Sequence, residues 1–282
     1  MEDTIKNISD TAFWIAGFRA MESARPDAVF KDSFAAKLAG DRGLHMAEIT
    51  PHSKAMAFAM TVRTSAIDRL ISEAIDLGCD TVVNMAAGLD TRPYRMDIPS
   101  TLKWIEIDLP ALVAYKNEEL KNEIPKCRIT RIAADLSEST TRNEIFQRIG
   151  SETYKAVVVT EGLIAYLKSE QAAELSTSIF NVPSFRYWIQ DYSRGAMQRN
   201  RHAKDLSKMV RQTPFQFDVK EPLLFFERQG WKVKKDILIL DEADRIGRSL
   251  PFMFPWTIIA KLIPRTIRRI GNRTYGYVMF EK

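Results

Sequence analysis

Four short apolar runs recur along the first two thirds of the chain at intervals of about 25 residues, and that spacing narrows the fold more than any other feature. They are Thr81–Ala87, Lys103–Asp108, Arg128–Ala133 and Ala156–Thr160. Thr81–Ala87 follows a helix-ending Gly78 and has no polar alternation, as a strand covered on both faces should look. Helical stretches at Leu109–Ile124 and Thr140–Ile149 fill the gaps, so the pattern reads as repeated βαβ and a mainly parallel sheet. Further strands are expected at Phe185–Asp191, Trp231–Ile239 and Tyr275–Glu281, which makes seven. Ahead of the sheet, Lys54–Leu77 carries Ala, Met and Ile at helical spacing. The expected organisation is therefore a single α/β domain: N-terminal helices over 1–77, a core over 78–191, and helical cap insertions with the last two strands over 192–282.

In an open parallel sheet, ligands bind beyond the carboxyl ends of the strands. The first strand runs into Ala86-Ala87-Gly88, a loop with one of the three glycines that a dinucleotide pyrophosphate needs, which disfavours NAD. No GxxxxGK[ST] string occurs. The second strand ends in Glu106-Ile107-Asp108. Asp108 lies 20 residues beyond Gly88, the spacing at which a carboxylate accepts from a ribose diol, but alternation puts Glu106 on the same face and spacing alone does not choose. The third strand runs into Asp135-Leu136 and the fourth into Glu161-Gly162. Each acid alone reads as a helix cap or loop residue. Three acids at three successive strand ends after a single-glycine loop fit a ligand with ribose and adenine and no phosphate, which is S-adenosyl-L-methionine.

Several strings carry a resemblance. Thr11-Ala12-Phe13-Trp14, the stretch Arg19–Asp27, Arg63-Thr64, GLDTRPYR at 88–95, EIDLP at 106–110, Asp135-Leu136 and EGLIAYL at 161–167 occur in this order over about residues 10–190. Together they resemble the leucine carboxyl methyltransferase family, in its bacterial branch of polyketide O-methyltransferases. The resemblance implies a class I methyltransferase (Rossmann-like) fold of seven mostly parallel strands with a helical cap. It also implies cofactor contacts at Arg19 and Arg63 for the methionine carboxylate, the loop from Ala86 to Gly88, Asp108 for the ribose, Asp135 and Leu136 for the adenine, and Glu161. Ala86 departs from the family, whose loop has glycine there. Its methyl group restricts φ and holds the backbone back from a ligand.

Composition bears on the acceptor. The chain carries 41 Lys and Arg against 36 Asp and Glu, yet residues 192–282 hold 19 against 9. Placed as a cap around Arg194–Arg211, that surplus would favour an anionic oxygen, carboxylate or phenolate, on a small-molecule acceptor. An RNA methyltransferase or nucleic-acid-binding protein is the reading from another class, and an NAD-dependent oxidoreductase is the second enzyme reading. Arg92 and Arg95 are expected to brace Asp90 or its neighbours as ion pairs, His202 to sit on a basic helix, and Phe252–Ile270 to pack on the domain. Cys79, Cys127 and three scattered histidines supply no structural metal site and no disulfide framework. Met1–Asp10 has no basic region followed by an apolar run, and the longest apolar stretch, Phe252–Ala260, falls short of the roughly 20 residues a bilayer needs. The expectation is a cytoplasmic protein with no membrane insertion and no nucleic-acid partner.

Overall fold

In a computed structural model of the chain, residues 8–193, 215–249 and 275–282 are described. Seven strands form one sheet in the order β3-β2-β1-β4-β5-β7-β6. They are β1 (Thr81–Met85), β2 (Lys103–Asp108), β3 (Arg128–Ala133), β4 (Ala156–Thr160), β5 (Phe185–Ser193), β6 (Lys232–Leu238) and β7 (Tyr275–Glu281). The first five pair in parallel, while β7 lies antiparallel between β5 and β6. Every residue of β1 and β4 is buried, which explains their unbroken apolar sequence, whereas β3 stands at the edge and alternates in exposure.

Helices cover both faces. On one lies α3 (Ser53–Asp76), whose Phe58, Val62, Ile67, Leu70 and Ile71 pack on Val82, Trp104 and Val157. Gly78 ends the segment after it at φ +89°, donating its N–H to the Ile75 carbonyl, a left-handed stop that suits glycine. The short α9 (Ile239–Arg245) joins this face through Ala243. On the other face, α6 (Ser139–Ser151), α7 (Ser169–Phe180) and α8 (Pro222–Glu227) press Phe146, Ile179 and Phe226 onto Val83, Val158 and Trp188. The short α4 (Arg92–Arg95) follows β1, and α5 (Pro110–Glu119) follows β2. The helix read over Leu109–Ile124 is thus shorter: Pro110 opens it, and the chain turns at Leu120, ahead of Pro125 and the exposed Ile124.

At the N-terminus α1 (Ile8–Ser23) and α2 (Ala35–Ile49) touch backbone to backbone. A Cβ on Gly17 would come 2.3 Å from the Gly43 carbonyl oxygen, and one on Gly43 would come 2.5 Å from that of Phe13. This crossing lays the face of α1 that carries Thr11, Trp14, Ile15 and Arg19 along the carboxyl end of the sheet, where these residues line a cavity. The expected helix around Arg194–Arg211, His202 and the Phe252–Ile270 segment lie outside the described residues. Residues 194–214 and 250–274 hold eleven Lys and Arg against one acid, Asp205, so the whole basic surplus of the C-terminal third lies there.

Candidate functional site

The carboxyl ends of β1, β2, β4 and β5 open into one cavity of about 670 Å³. Its floor is the loop after β1. Ala86 sits there at φ +49° and Gly88 at φ +52°, so two residues of a three-residue turn are left-handed. For Gly88 this is unstrained. For Ala86 the Cβ crowds the following carbonyl at a cost of roughly 1–2 kcal/mol. The methyl group therefore does not keep the loop out of a glycine-like path, as its restriction of φ suggested; the chain adopts the path and bears the strain.

The ambiguity between the two acids of β2 resolves by their surroundings. Glu106 is buried, with Oε2 2.9 Å from Lys116 Nζ and 2.8 Å from Arg131 Nε, and does not line the cavity. Asp108 lines it, and accepts the Gly88 N–H at 2.6 Å on Oδ2 and the Leu109 N–H at 2.7 Å on Oδ1. Burial raises the Asp108 pKa above its ordinary range, an effect that the two backbone donors only partly offset.

At the ends of β1 and β4 the charged groups form a closed network. Asp90 accepts from Asn84 Nδ2 at 2.8 Å and from the Arg92 backbone N–H and guanidinium at 2.9 and 2.8 Å. Arg92 also reaches Glu161 Oε2 at 2.8 Å and Asp68 at 2.6 Å, and Arg95 holds Asp68 with two more bonds. Arg63 Nε lies 2.8 Å from Glu161 Oε1. Burial opposes charge throughout this cluster. At Glu161 it is outweighed by Arg92 and Arg63, which hold the carboxyl below its usual range, and Arg92 does the same for Asp90. At Arg63 burial is outweighed by Glu161 and Asp191, which keep the guanidinium charged. Arg92 and Arg95 thus brace acids, and Arg92 does so from within the cavity wall.

Arg19 lines the same cavity from α1, donating to Asp32 at 2.9 Å and to the Leu89 carbonyl, while Thr91 Oγ1 donates to Asp32 at 2.6 Å. Asp135 and Leu136 do not line it. The exposed Asp135 accepts the Ser137 N–H at the approach to α6, Leu136 packs into the core, and Ser137 lines the cavity instead. The sequence reading missed the β5 side altogether. There Asp191 accepts the Gly162 N–H at 2.7 Å and the Tyr275 hydroxyl at 2.8 Å, and Gln190, Tyr166, Phe215 and Phe217 complete the wall.

A family model for leucine carboxyl methyltransferase matches residues 12–180. The chain belongs to that family. It is 30% identical over 266 residues to an S-adenosyl-L-methionine-dependent methyltransferase of Frankia alni, covering 86% of this chain and 89% of that one. With a like-named protein of Rhodococcus jostii it shares 28% over 276 residues, 88% and 90% of the two chains. Among solved structures, a DUF574 family protein of Streptomyces avermitilis superposes with a TM-score of 0.60 at 11% identity, over 95% of this chain and 96% of that one, a likeness of fold. The protein is an S-adenosyl-L-methionine-dependent methyltransferase, and the oxidoreductase reading falls.

The cavity suits that methyl donor. Its described lining carries five acids (Asp90, Asp108, Glu161, Asp191, Asp218) against three arginines (Arg19, Arg63, Arg92), which favours a sulfonium cation. A carboxylate faces it at the end of β2. The methyltransferase has no described helix long and apolar enough to cross a membrane.

Proposed function

We propose that this methyltransferase is an O-methyltransferase of a small molecule, with the donor lying along the ends of β1, β2 and β4 and the acceptor entering over β5. The observation that carries the reading is that one cavity is lined by Gly88, Asp108 and Glu161 at the ends of β1, β2 and β4 and, over β5, by the rings of Tyr166, Phe215 and Phe217 together with Asp191 and Asp218. The name of the matched family points to oxygen as the atom methylated.

Under this proposal Arg63 and Arg19 take the amino-acid carboxylate of the donor. Ala86 to Gly88 give it their backbone, Asp108 accepts from the ribose, and Glu161 fixes Arg63. Leu112 and Ser137, which line the cavity, take the adenine in place of Asp135 and Leu136. When bound, S-adenosyl-L-methionine supplies an electrophilic methyl group on a sulfonium centre. The work left to the chain is orientation and exclusion of water, and alignment alone is worth roughly 7–11 kcal/mol. No Lys or His lines the cavity among the described residues, so an acceptor oxygen already ionised at pH 7 would need no base. The described lining is not the positive surface expected for an anionic acceptor; that expectation rests on the basic segments outside the described residues.

Calorimetric titration tests the donor half. S-adenosylhomocysteine should bind and NAD should not, and Arg63→Ala should weaken S-adenosylhomocysteine by about 1.5–3 kcal/mol, or roughly 10- to 150-fold, in a folded protein. Unchanged affinity would falsify the assignment. For the acceptor, labelled S-adenosyl-L-methionine and an extract of the source cells should give a labelled small molecule. Release of methanol by mild alkali marks an ester, and an alkali-stable product marks an ether; label in RNA or in protein side chains overturns the small-molecule reading.

A further inference from the structure

Gln190 on β5 is fully buried, lines the cavity, and has no hydrogen-bond partner on either Oε1 or Nε2 among the described residues. Its strand neighbours are treated differently. Trp188 Nε1 donates to Thr160 Oγ1 at 2.8 Å, Asp191 accepts two donors, and the Tyr192 hydroxyl donates to Asp236 at 2.6 Å. The backbone of Gln190 pairs with Thr160 of β4 and Val278 of β7, so the side chain is held at the strand end that follows the Glu161 loop in the sheet. A buried amide with nothing to bond to costs stability, and an apolar side chain of the same length would hold β5 better. The carboxamide makes physical sense if something that enters the cavity satisfies it.

A primary carboxamide offers an acceptor and donors side by side in one plane. Its best complement is a group with the reverse pair, an N–H or O–H beside a carbonyl. An ionised carboxylate complements only Nε2 and brings negative charge against Oε1. The aromatic rings of Phe217 and Phe226, with Ile164, supply flat apolar walls to the same cavity. We propose that Gln190 is the specificity-determining residue for the acceptor, and that the acceptor is a small planar molecule with an amide-like edge, of the lactam type, remote from the oxygen that is methylated. The inference rests on the proposed division of the cavity into donor and acceptor halves.

The test uses the full chain saturated with S-adenosylhomocysteine and two probes of nearly equal shape: 4-hydroxy-2-quinolone, which has the N–H beside its carbonyl, and 4-hydroxycoumarin, in which a ring oxygen replaces that N–H. The quinolone should bind at least about 10-fold more tightly than the coumarin, a single good hydrogen bond's worth. Gln190→Met should abolish the preference, leave S-adenosylhomocysteine affinity within about twofold, and raise the melting temperature of the ligand-free protein by about 2–6 °C. Gln190→Leu serves the same purpose if Gln190→Met does not fold. Equal binding of the probes, binding of neither, or a preference that survives both substitutions overturns the inference alone. Loss of S-adenosylhomocysteine affinity in the variants would assign Gln190 to the donor half and also overturn it. A wild-type protein that fails to bind S-adenosylhomocysteine overturns the donor-site reading itself, and this inference with it.

Discussion

The two halves of the cavity solve the problem of buried polarity in opposite ways. Around β1, β2 and β4 the charges are joined to one another before any ligand arrives: Arg92 holds Asp90, Asp68 and Glu161 at once, Arg63 holds Glu161, and two backbone N–H groups hold Asp108. Over β5 the wall carries aromatic rings, the paired Asp191, and Gln190, whose amide has no partner among the described residues. The first half is preorganised, so a ligand of fixed chemistry meets groups already in position and pays little to order them. The second half pairs Asp191 but leaves the buried Gln190 amide without a partner among the described residues, and discrimination between ligands can be sharp there.

The harshest way to break the contrast is to open the charged network. Arg92→Met should lower stability by about 3–5 kcal/mol in urea unfolding, because Asp90 and Glu161 lose a buried partner. Glu106→Ala should cost a similar amount, since Lys116 is left buried beside Arg131, yet S-adenosylhomocysteine affinity should change little because Glu106 lies outside the cavity lining. A large loss of affinity without loss of stability would reverse the roles assigned to Glu106 and Asp108.

Smaller effects of opposite sign come from acid titration. The Glu161 carboxyl is held below its ordinary 4.5, so its contribution to stability is present above about pH 4.5 and is lost as pH falls through the lower folded value. Glu161→Gln should flatten the stability curve in that acid range. Asp108 is raised above 3.8 by burial, so its ionisation costs stability as pH rises through and beyond that value. Asp108→Asn should therefore stabilise the ligand-free protein at pH 7 while weakening S-adenosylhomocysteine. Equal pH profiles for wild type and both variants would show that neither group titrates with folding. The smallest change is Ala86→Gly, which relieves a left-handed alanine. It should add about 1 kcal/mol, or roughly 2–4 °C, with donor binding equal or tighter; a loss of affinity would mean that the Ala86 methyl group packs on the ligand.

The same contrast governs what could be read from sequence. β2, β3, β4 and β7 have the bounds expected, and for the first three the 25-residue period leaves few alternatives. The acids at strand ends were legible because a carboxylate at such a place has a short list of uses. Glu106 and Asp108 were not separable, because what distinguishes them is Lys116 on α5 and Arg131 on β3, and pairing across elements leaves no trace in local spacing. Asp135 and Leu136, expected at the adenine, lie outside the cavity lining, and Asp135 accepts the Ser137 N–H within its own loop, a local contact that strand spacing does not reveal. Gln190 carried only one faint signal, an amide in the apolar run Tyr187-Trp188-Ile189 just before the strand end. That its amide has no partner among the described residues is a property of the assembled sheet.

The strand order has a consequence for biosynthesis. Among the described strands β6 pairs only with β7, which begins 37 residues after β6 ends. At a synthesis rate of roughly 5–20 residues per second, β6 leaves the ribosome about 2–7 s before its partner has begun to follow. During that interval it is an unclaimed edge beside a growing sheet, the kind of surface that recruits neighbouring nascent chains. Lys232, Lys234, Lys235 and Asp236 occupy four of its seven positions, and their hydration makes the waiting strand a poor template for anything but the β7 segment of its own chain.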